Sequence, residues 1–283
     1  MSNTRIAFMN DLKRIEREKY QLREGENLQD FINLMLEYIG DPDPELRDEL
    51  IYPTFYTWIS EQGRFTDSEL RNLLEILTDE EHLFYQIGNV GDQSVFTRTF
   101  SVLPIALIIR CHWQQPFLNH EQFQHLKTAL IRYYIEEKDL RGLLLEGGWA
   151  HSAAHGADAL EELVQCPESD LVVQLEVLDA VRTMLWNGVH IFSEEEDERI
   201  ASILDTQIIQ NLVPSEKMTD WIGKLSTCIE GPRNRRQDIA RVNSKNVLRS
   251  LYFRRIQAQG NNGVTDALLT AENKLNNFAI DKY

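Results

Sequence analysis

The sequence has few residues that interrupt helices and lacks the long apolar runs that cross membranes. Its 283 residues include only eight prolines and 14 glycines, which favours helices over a loop-rich fold. The longest apolar run, Val102–Ile109, is far shorter than the roughly 20 residues that a bilayer requires. The first 20 residues contain no apolar core of signal-peptide length. We therefore expect a soluble, cytoplasmic protein.

Cysteine is also scarce. The three cysteines, Cys111, Cys166 and Cys228, match no closely spaced zinc or redox motif. Their odd number argues against a framework of disulfide bonds. We expect all three to be reduced thiols in the core.

Positive charge is deficient, because the formal net charge is −16. This excess of acid argues against nucleic acid or an anionic membrane as a partner. The charge is unevenly distributed, however. Residues 233–255 contain eight basic residues and one acid, a net charge of +7, so the rest of the chain carries −23.

Signals for helix starts, in contrast, are frequent. Three capping boxes, Thr66–Glu69, Asn119–Gln122 and Ser193–Glu196, each precede apolar residues at helical spacing. No two segments have the alternation and turn of a β-hairpin. Together with the turn residues, these patterns predict twelve helices, at about 9–22, 25–39, 45–62, 66–78, 94–113, 119–137, 149–165, 170–187, 193–211, 215–229, 234–258 and 265–279.

These helices pair into hairpins that begin near residues 25, 66, 119, 170, 215 and 265. The interval is roughly that of HEAT-like repeats, about 40–47 residues. We predict an all-α fold in a single domain, residues 1–283, built as an α-solenoid of hairpins or, alternatively, as a closed α/α toroid. In a solenoid, one helix of each pair lines the concave face. The second helices, which include 94–113, 149–165 and 234–258, are the candidates for that face.

One of these helices carries two histidines among small residues, in the stretch GGWAHSAAHGADALEEL. At about 100° per residue, His151, His155 and Asp158 fall in one arc, opposite an apolar side that includes Trp149. The arc could be a solvated face. Histidine and glycine are poor helix formers, however, and small neighbours allow close approach, which indicates a lined groove instead.

Two chemical interpretations of the same residues stay open. His151, His155 and Asp158 could bind a divalent metal ion, although Ser152 replaces the glutamate of a zincin motif. Alternatively, His155 could act as a general base oriented by Asp158, which makes these two residues the catalytic candidates. No serine or cysteine nucleophile lies in a recognisable motif.

Two basic features could bind anions. Arg98 and Ser101 share a helix face and could clamp a carboxylate, or Arg98 could pair with a nearby acid. Arg241, Lys245 and Arg249 recur every four residues. They could pair with acidic neighbours such as SEEEDE, or bind phosphate or an acidic ligand. Nucleic acid is the interpretation that we favour least.

The stretch GGWAHSAAHGADAL resembles the signature of a bacterial family of uncharacterised proteins. Three other stretches are also similar to this family: DPELRDELIY at 43–52, VFTRTFSVL at 95–103 and NVLRSLYFR at 246–254. The resemblance covers most of the chain and implies an all-helical cytoplasmic protein of no known activity. It marks as positions of interest Arg98, Ser101, Trp149, His151, His155, Asp158 and Arg249.

We therefore predict a binding or scaffold protein whose concave groove, lined by histidine, aspartate and arginine, accepts a small anionic ligand or an acidic protein segment. The alternative is a hydrolase that uses His151, His155 and Asp158, either with a metal ion or by acid–base chemistry. No cofactor is required by the first hypothesis, whereas the second could use a divalent metal ion.

Overall fold

The computed structural model describes residues 3–258 and 263–278, and the all-α prediction is confirmed there. The predicted end of the last helix, residue 279, lies outside these ranges. The α-helices of the described residues are α1 Asn3–Arg17, α2 Leu28–Glu37, α3 Tyr52–Tyr56, α4 Asp67–Leu77, α5 Ser94–Gln114, α6 His120–Glu136, α7 Ser152–Val164, α8 Leu171–Leu185, α9 Glu196–Ile209, α10 Ser215–Leu225, α11 Arg235–Gln257 and α12 Gly263–Leu275.

Helix starts follow the capping signals in two of three cases. Thr66 and Glu69 form a reciprocal capping box at α4, and Asn119 and Gln122 exchange hydrogen bonds of 2.9 and 3.0 Å at α6. The predicted box at Ser193–Glu196 is wrong. Helix α9 starts later, at Glu196, because the preceding residue Glu195 has a left-handed φ of 67°.

Helix α1 also differs from its prediction. It spans Asn3–Arg17 rather than residues 9–22. Lys19 and Tyr20 have φ values of 56° and 60°, and left-handed backbone ends a right-handed helix. The hydrophobic pattern did not reveal these two angles.

The predicted helix at 45–62 is irregular. π-helical turns at Glu45–Ile51 and Thr57–Glu61 flank the single α-helical segment α3. Tyr52 N–H donates to Arg47 O, and Gln62 N–H donates to Thr57 O, the i→i−5 pattern of a π-helix. Such turns are rare and frequently occur at functional sites.

A short β-hairpin precedes α7, contrary to the prediction of no strand pair. Strand β1, Leu143–Leu144, is antiparallel to β2, Gly148–Trp149. Gly147 and Gly148 in its turn have φ values of 98° and 71°, which favour glycine. Two-residue strands are too short to produce a recognisable alternation, which is why the sequence did not reveal them. Trp149 lies in β2 rather than in the helix.

Two compact units divide the chain. The first comprises residues 1–122 and 136–155, and the second comprises residues 123–135 and 156–283. Helices α6 and α7 each contribute residues to both. In the second unit, α11 packs against α9 and α12. The single domain and the HEAT-like or toroidal arrangement stay predictions.

Helix α5 lies in the core of the first unit, where α3 and α4 pack against it. It is the one described helix whose length and composition would allow it to cross a membrane. Its most apolar stretch of 18 residues is 83% buried within the chain. Such burial is typical of the core helix of a soluble protein.

Candidate functional site

His151 precedes helix α7 instead of lying in it. Its φ is 54°, its N–H donates to Arg141 O at 2.9 Å, and its carbonyl accepts the His155 N–H at 3.0 Å. The helical arc proposed from the sequence is therefore wrong for His151. The hairpin, rather than the helix, sets the direction of its side chain.

The side chains of Trp149, His151 and His155 form a continuous series of rings, which we call the imidazole shelf. The Trp149 and His151 rings stack with centroids 4.6 Å apart, and the two imidazoles meet at 5.6 Å. All three residues are half-buried. The edge of His155 contacts buried Phe100, at 5.6 Å between centroids. The shelf thus has a fixed inner side and a partly exposed outer side.

A backbone carbonyl determines the tautomer of His155. Its Nδ1 lies 3.3 Å from Thr99 O. Because a carbonyl oxygen only accepts, this hydrogen bond requires the proton on Nδ1 and leaves the lone pair of the neutral ring on Nε2. His155 therefore has the orientation and tautomer that acid–base chemistry or hydrogen bonding at Nε2 requires.

The hairpin is held in place by Arg47, from the first π-helical turn. The guanidinium donates to Asp41 O at 2.5 Å and to Gly147 O, with a longer contact of 3.4 Å to Trp149 O. Arg47 is fully buried. Burial lowers its pKa to about 10, so the side chain remains positively charged at neutral pH.

Aromatic rings enclose the same guanidinium. Its central carbon lies 4.0 Å from the Phe96 ring centroid and 4.5 Å from that of Phe100, which are cation–π distances. A Cβ at Gly147 would lie 2.8 Å from Phe96 Cζ, so glycine permits this close packing. Three family-like stretches thus meet in the first unit: DPELRDELIY, VFTRTFSVL and GGWAH.

The sequence analysis quoted the stretch around Arg47 but did not select Arg47 as a site residue. The sequence did contain one indication of its role. Arg47 is a charged residue among the apolar positions Leu46, Leu50 and Ile51 of the same segment. The partner atoms are backbone carbonyls about 100 residues away in the chain. Sequence patterns do not identify such partners.

The small residues of α7 have a structural role in the second unit. A Cβ at Gly156 would lie 2.7 Å from Cδ2 of Tyr134 and 3.2 Å from Cε1 of Tyr133. Gly156 therefore admits two buried tyrosine rings of the same chain. The hypothesis that small residues allow a ligand to approach is not needed at this position.

Arg98 and Ser101 are buried and bind partners within the first unit. Arg98 pairs with Glu137, with Nε 2.6 Å from Oε2, and the Ser101 hydroxyl donates to Thr97 O at 2.7 Å. Neither side chain is exposed. The carboxylate-clamp interpretation is therefore wrong, and the alternative ion pair is what the structure contains.

Asp158 belongs to the second unit, where it pairs with Arg199 at 2.9 Å. Burial raises the pKa of Asp158 to about 6 despite this ion pair, and Glu161 and Glu162 add to the rise. Across the described ranges, no three histidine, cysteine or carboxylate side chains are grouped so as to hold a metal ion. Asp158 thus has an ion-pair partner of its own.

The basic helix α11 is engaged largely by acids and carbonyls of the second unit. Arg249 pairs with Glu272 at 2.7 Å, and Arg241 donates to Leu275 O at 3.1 Å. Lys245 lies between these arginines, and burial, followed by their charges, lowers its pKa. The internal salt-bridge interpretation therefore applies to Arg249.

The internal salt-bridge interpretation also applies to the acidic stretch SEEEDE, because its Glu198 pairs with Arg254 at 2.6 Å. Ser250 donates to Asp197 at 3.1 Å. These contacts join the first turn of α9 to α11. They use most of the donors on Arg254, whose Nη1 also donates to Ser202.

A family model described as "Protein of unknown function (DUF2785)" matches residues 83–253, which is more than half of the chain. The chain therefore belongs to this family, and the resemblance to an uncharacterised family is confirmed. The matched range includes the imidazole shelf and α5, whereas Arg47 lies before it. No curated protein and no solved structure matches the chain.

Proposed function

We propose that this DUF2785 protein binds a small anionic ligand at the imidazole shelf of its first unit. The observation that carries the proposal is the stack of Trp149 on His151, with ring centroids 4.6 Å apart and both residues half-buried. An indole offers apolar contact area, and the imidazole N–H of His151 can donate a hydrogen bond to a carboxylate or phosphate oxygen. Ligand sites typically combine these two features.

The charge of Arg47 favours an anion over a cation. Arg47 makes hydrogen bonds to carbonyls and no direct ion pair with any described residue, although the charges of Asp48, Asp41 and Asp43 offset part of its own. Its guanidinium and the His155 ring both contact the Phe100 ring. A buried cation without a paired carboxylate raises the potential of the surface near it.

The backbone of His151 also supports a functional role. A left-handed φ at a residue other than glycine is uncommon, and it costs of order 1–3 kcal/mol unless the surroundings compensate for it. Here two backbone hydrogen bonds and the stack on Trp149 hold the strained residue. Such strain clusters at functional sites.

Titration with benzoate and inorganic phosphate, followed by NMR of the histidine rings, tests the proposal. We expect the NMR signals of the His151 and His155 rings to shift as either probe is added. The double variant His151→Gln/His155→Gln should bind at least about tenfold more weakly, as expected for the loss of the hydrogen bond that His151 donates to the charged probe. His82→Gln, in the same unit, is the matched control. Absence of binding by both probes would overturn the proposal.

Acid–base catalysis by His155 is a second candidate function, favoured by the hydrogen bond that fixes its tautomer. A general base needs an oriented ring with its lone pair directed at the substrate. Hydrolysis of a panel of activated esters would test this function. Loss of turnover in His155→Gln with benzoate binding retained would support catalysis, and equal turnover by both proteins would refute it.

We also propose that the protein acts in the cytoplasm. None of its three cysteines, all of which the structure describes, is joined to another by a disulfide bond, as is usual in that reducing compartment.

A further inference from the structure

A groove in the second unit lies between the first turn of α9 and helix α11. It has a volume of about 340 Å³, at the small end of the range for ligand sites. Five of the eight residues that line it come from the family-like stretch NVLRSLYFR. The lining residues are Asp197, Glu198, Asn246, Arg249, Ser250, Phe253, Arg254 and Gln257.

Both arginines of this groove form ion pairs with acidic side chains of the second unit. Their positive charges are therefore largely neutralised before any ligand binds. Arg254 binds Glu198, and Arg249 binds Glu272. The carboxylate of Asp197 has no cationic partner among the described residues and accepts only the Ser250 hydroxyl, at 3.1 Å. The unbalanced charge in the groove is therefore negative, although α11 is the most basic helix of the chain.

Two further side chains of the groove, Phe253 and Asn246, keep surface available to a ligand, although the Phe253 ring also contacts the Tyr252 ring, with centroids 5.8 Å apart. The Phe253 ring is 61% exposed, although most large apolar side chains are buried. The side-chain amide of Asn246 makes no hydrogen bond to any described residue. An exposed aromatic ring together with a carboxylate is the combination that recognises an organic cation.

We propose that this groove binds a small organic ammonium compound, with its charge at Asp197 and its apolar part on Phe253. The amide of Asn246 would accept a further N–H from the ligand. The net charge of −16 would attract cations to the surface. This site is independent of the imidazole shelf, so either proposal can fail without the other.

Benzylamine is the probe, and benzyl alcohol is its neutral counterpart of the same shape. NMR titration of the full-length protein should detect benzylamine binding at the groove, with benzyl alcohol at least about fivefold weaker because it lacks the charge. Asp197→Asn and Phe253→Ala should each weaken benzylamine binding about three- to tenfold. Equal binding of amine and alcohol, or no effect of Asp197→Asn, would overturn the proposal.

Matched controls separate recognition from general effects. Asp266→Asn removes the same charge from the first turn of α12, and Ile256→Ala truncates another exposed apolar residue of α11. Neither residue lines the groove, so both variants should bind like the parent. A second arm compares benzylamine with Nα-acetyl-lysine methylamide. Tighter binding of the latter assigns the ammonium to a lysine of a partner, and tighter binding of benzylamine assigns it to a free small molecule.

Discussion

Arg98 and Glu137 form a fully buried ion pair, with Arg98 Nε 2.6 Å from one carboxylate oxygen and Nη2 3.0 Å from the other. Neither side chain is exposed to solvent. The N–H groups of Lys138 and Asp139 also donate to Glu137, at 2.9 and 2.8 Å. The pair thus ties α5 to the loop that leads to the hairpin and the imidazole shelf.

Breaking this pair should destabilise the protein strongly. Arg98→Met leaves the Glu137 carboxylate buried without its cation, which costs about 3–5 kcal/mol. Adding Glu137→Gln removes the charge while its amide oxygen still accepts the two backbone N–H groups. We expect the double variant to recover at least half of the loss in urea denaturation. A double variant no more stable than Arg98→Met would contradict this account.

Arg47→Lys should loosen the hairpin without removing the charge. A lysine ammonium cannot reach the separate carbonyls of Asp41 and Gly147 with the planar geometry of a guanidinium. We expect faster hydrogen exchange at the amides of Ala150 and His151, which pair with Gly142 and Arg141. Benzoate binding at the shelf should also weaken.

The matched control is Arg64→Lys. Arg64 also donates to a backbone carbonyl in the first unit, that of Tyr20, at 3.1 Å. The Arg64→Lys variant should leave hydrogen exchange at the hairpin amides unchanged. Equal exchange in Arg47→Lys and the parent would show that the hairpin does not depend on Arg47.

Gly156→Ala should destabilise the second unit, because the new Cβ would lie 2.7 Å from the Tyr134 ring. Overpacking of this kind typically costs about 1–3 kcal/mol. Gly223→Ala, inside α10 with no atom near its Cβ position, is the control and should stabilise by about 0.5–1 kcal/mol through helix propensity. Thermal denaturation of both variants measures the contrast. A Gly156→Ala variant as stable as the parent would show that the Tyr133 and Tyr134 rings can shift to accommodate the added methyl group at no cost in stability.

Stability should fall as the pH rises from about 4 to 6 through the contribution of Asp158. Burial raises its folded-state pKa to about 6, so the folded state binds the proton more tightly than the unfolded state does. Between the two pKa values, unfolding therefore becomes easier as Asp158 loses its proton, by on the order of 1–3 kcal/mol. Above pH 6 the loss is complete.

Asp158→Asn should remove this contribution from the pH profile of urea denaturation. Asp179→Asn, at a side chain that is 66% exposed, should leave the profile unchanged. Parent and Asp158→Asn profiles of equal slope between pH 4 and 6 would show that the ion pair with Arg199 cancels the effect of burial.

The sequence predicted most of the helices because capping, turns and hydrophobic period are local properties. The capping boxes at Thr66 and Asn119 lie where their residue types indicate. The structure departs from these predictions where a left-handed backbone angle shifts the start of a helix, as at Glu195 and His151. Of the candidate site, the sequence identified Trp149, His151 and His155, but it placed Trp149 on the side of a helix opposite the histidines and grouped the histidines by a helical geometry that His151 does not have.

The sequence by itself thus determined the helical class, the positions of most helices and the stretches that deserve attention. Only the tertiary structure decided what each charged side chain binds. Arg98 pairs with a carboxylate 39 residues away, and Arg47 with a carbonyl 100 residues away. Because an arginine looks the same in sequence whether it is buried or exposed, its role depends on which distant groups the fold brings within hydrogen-bond distance.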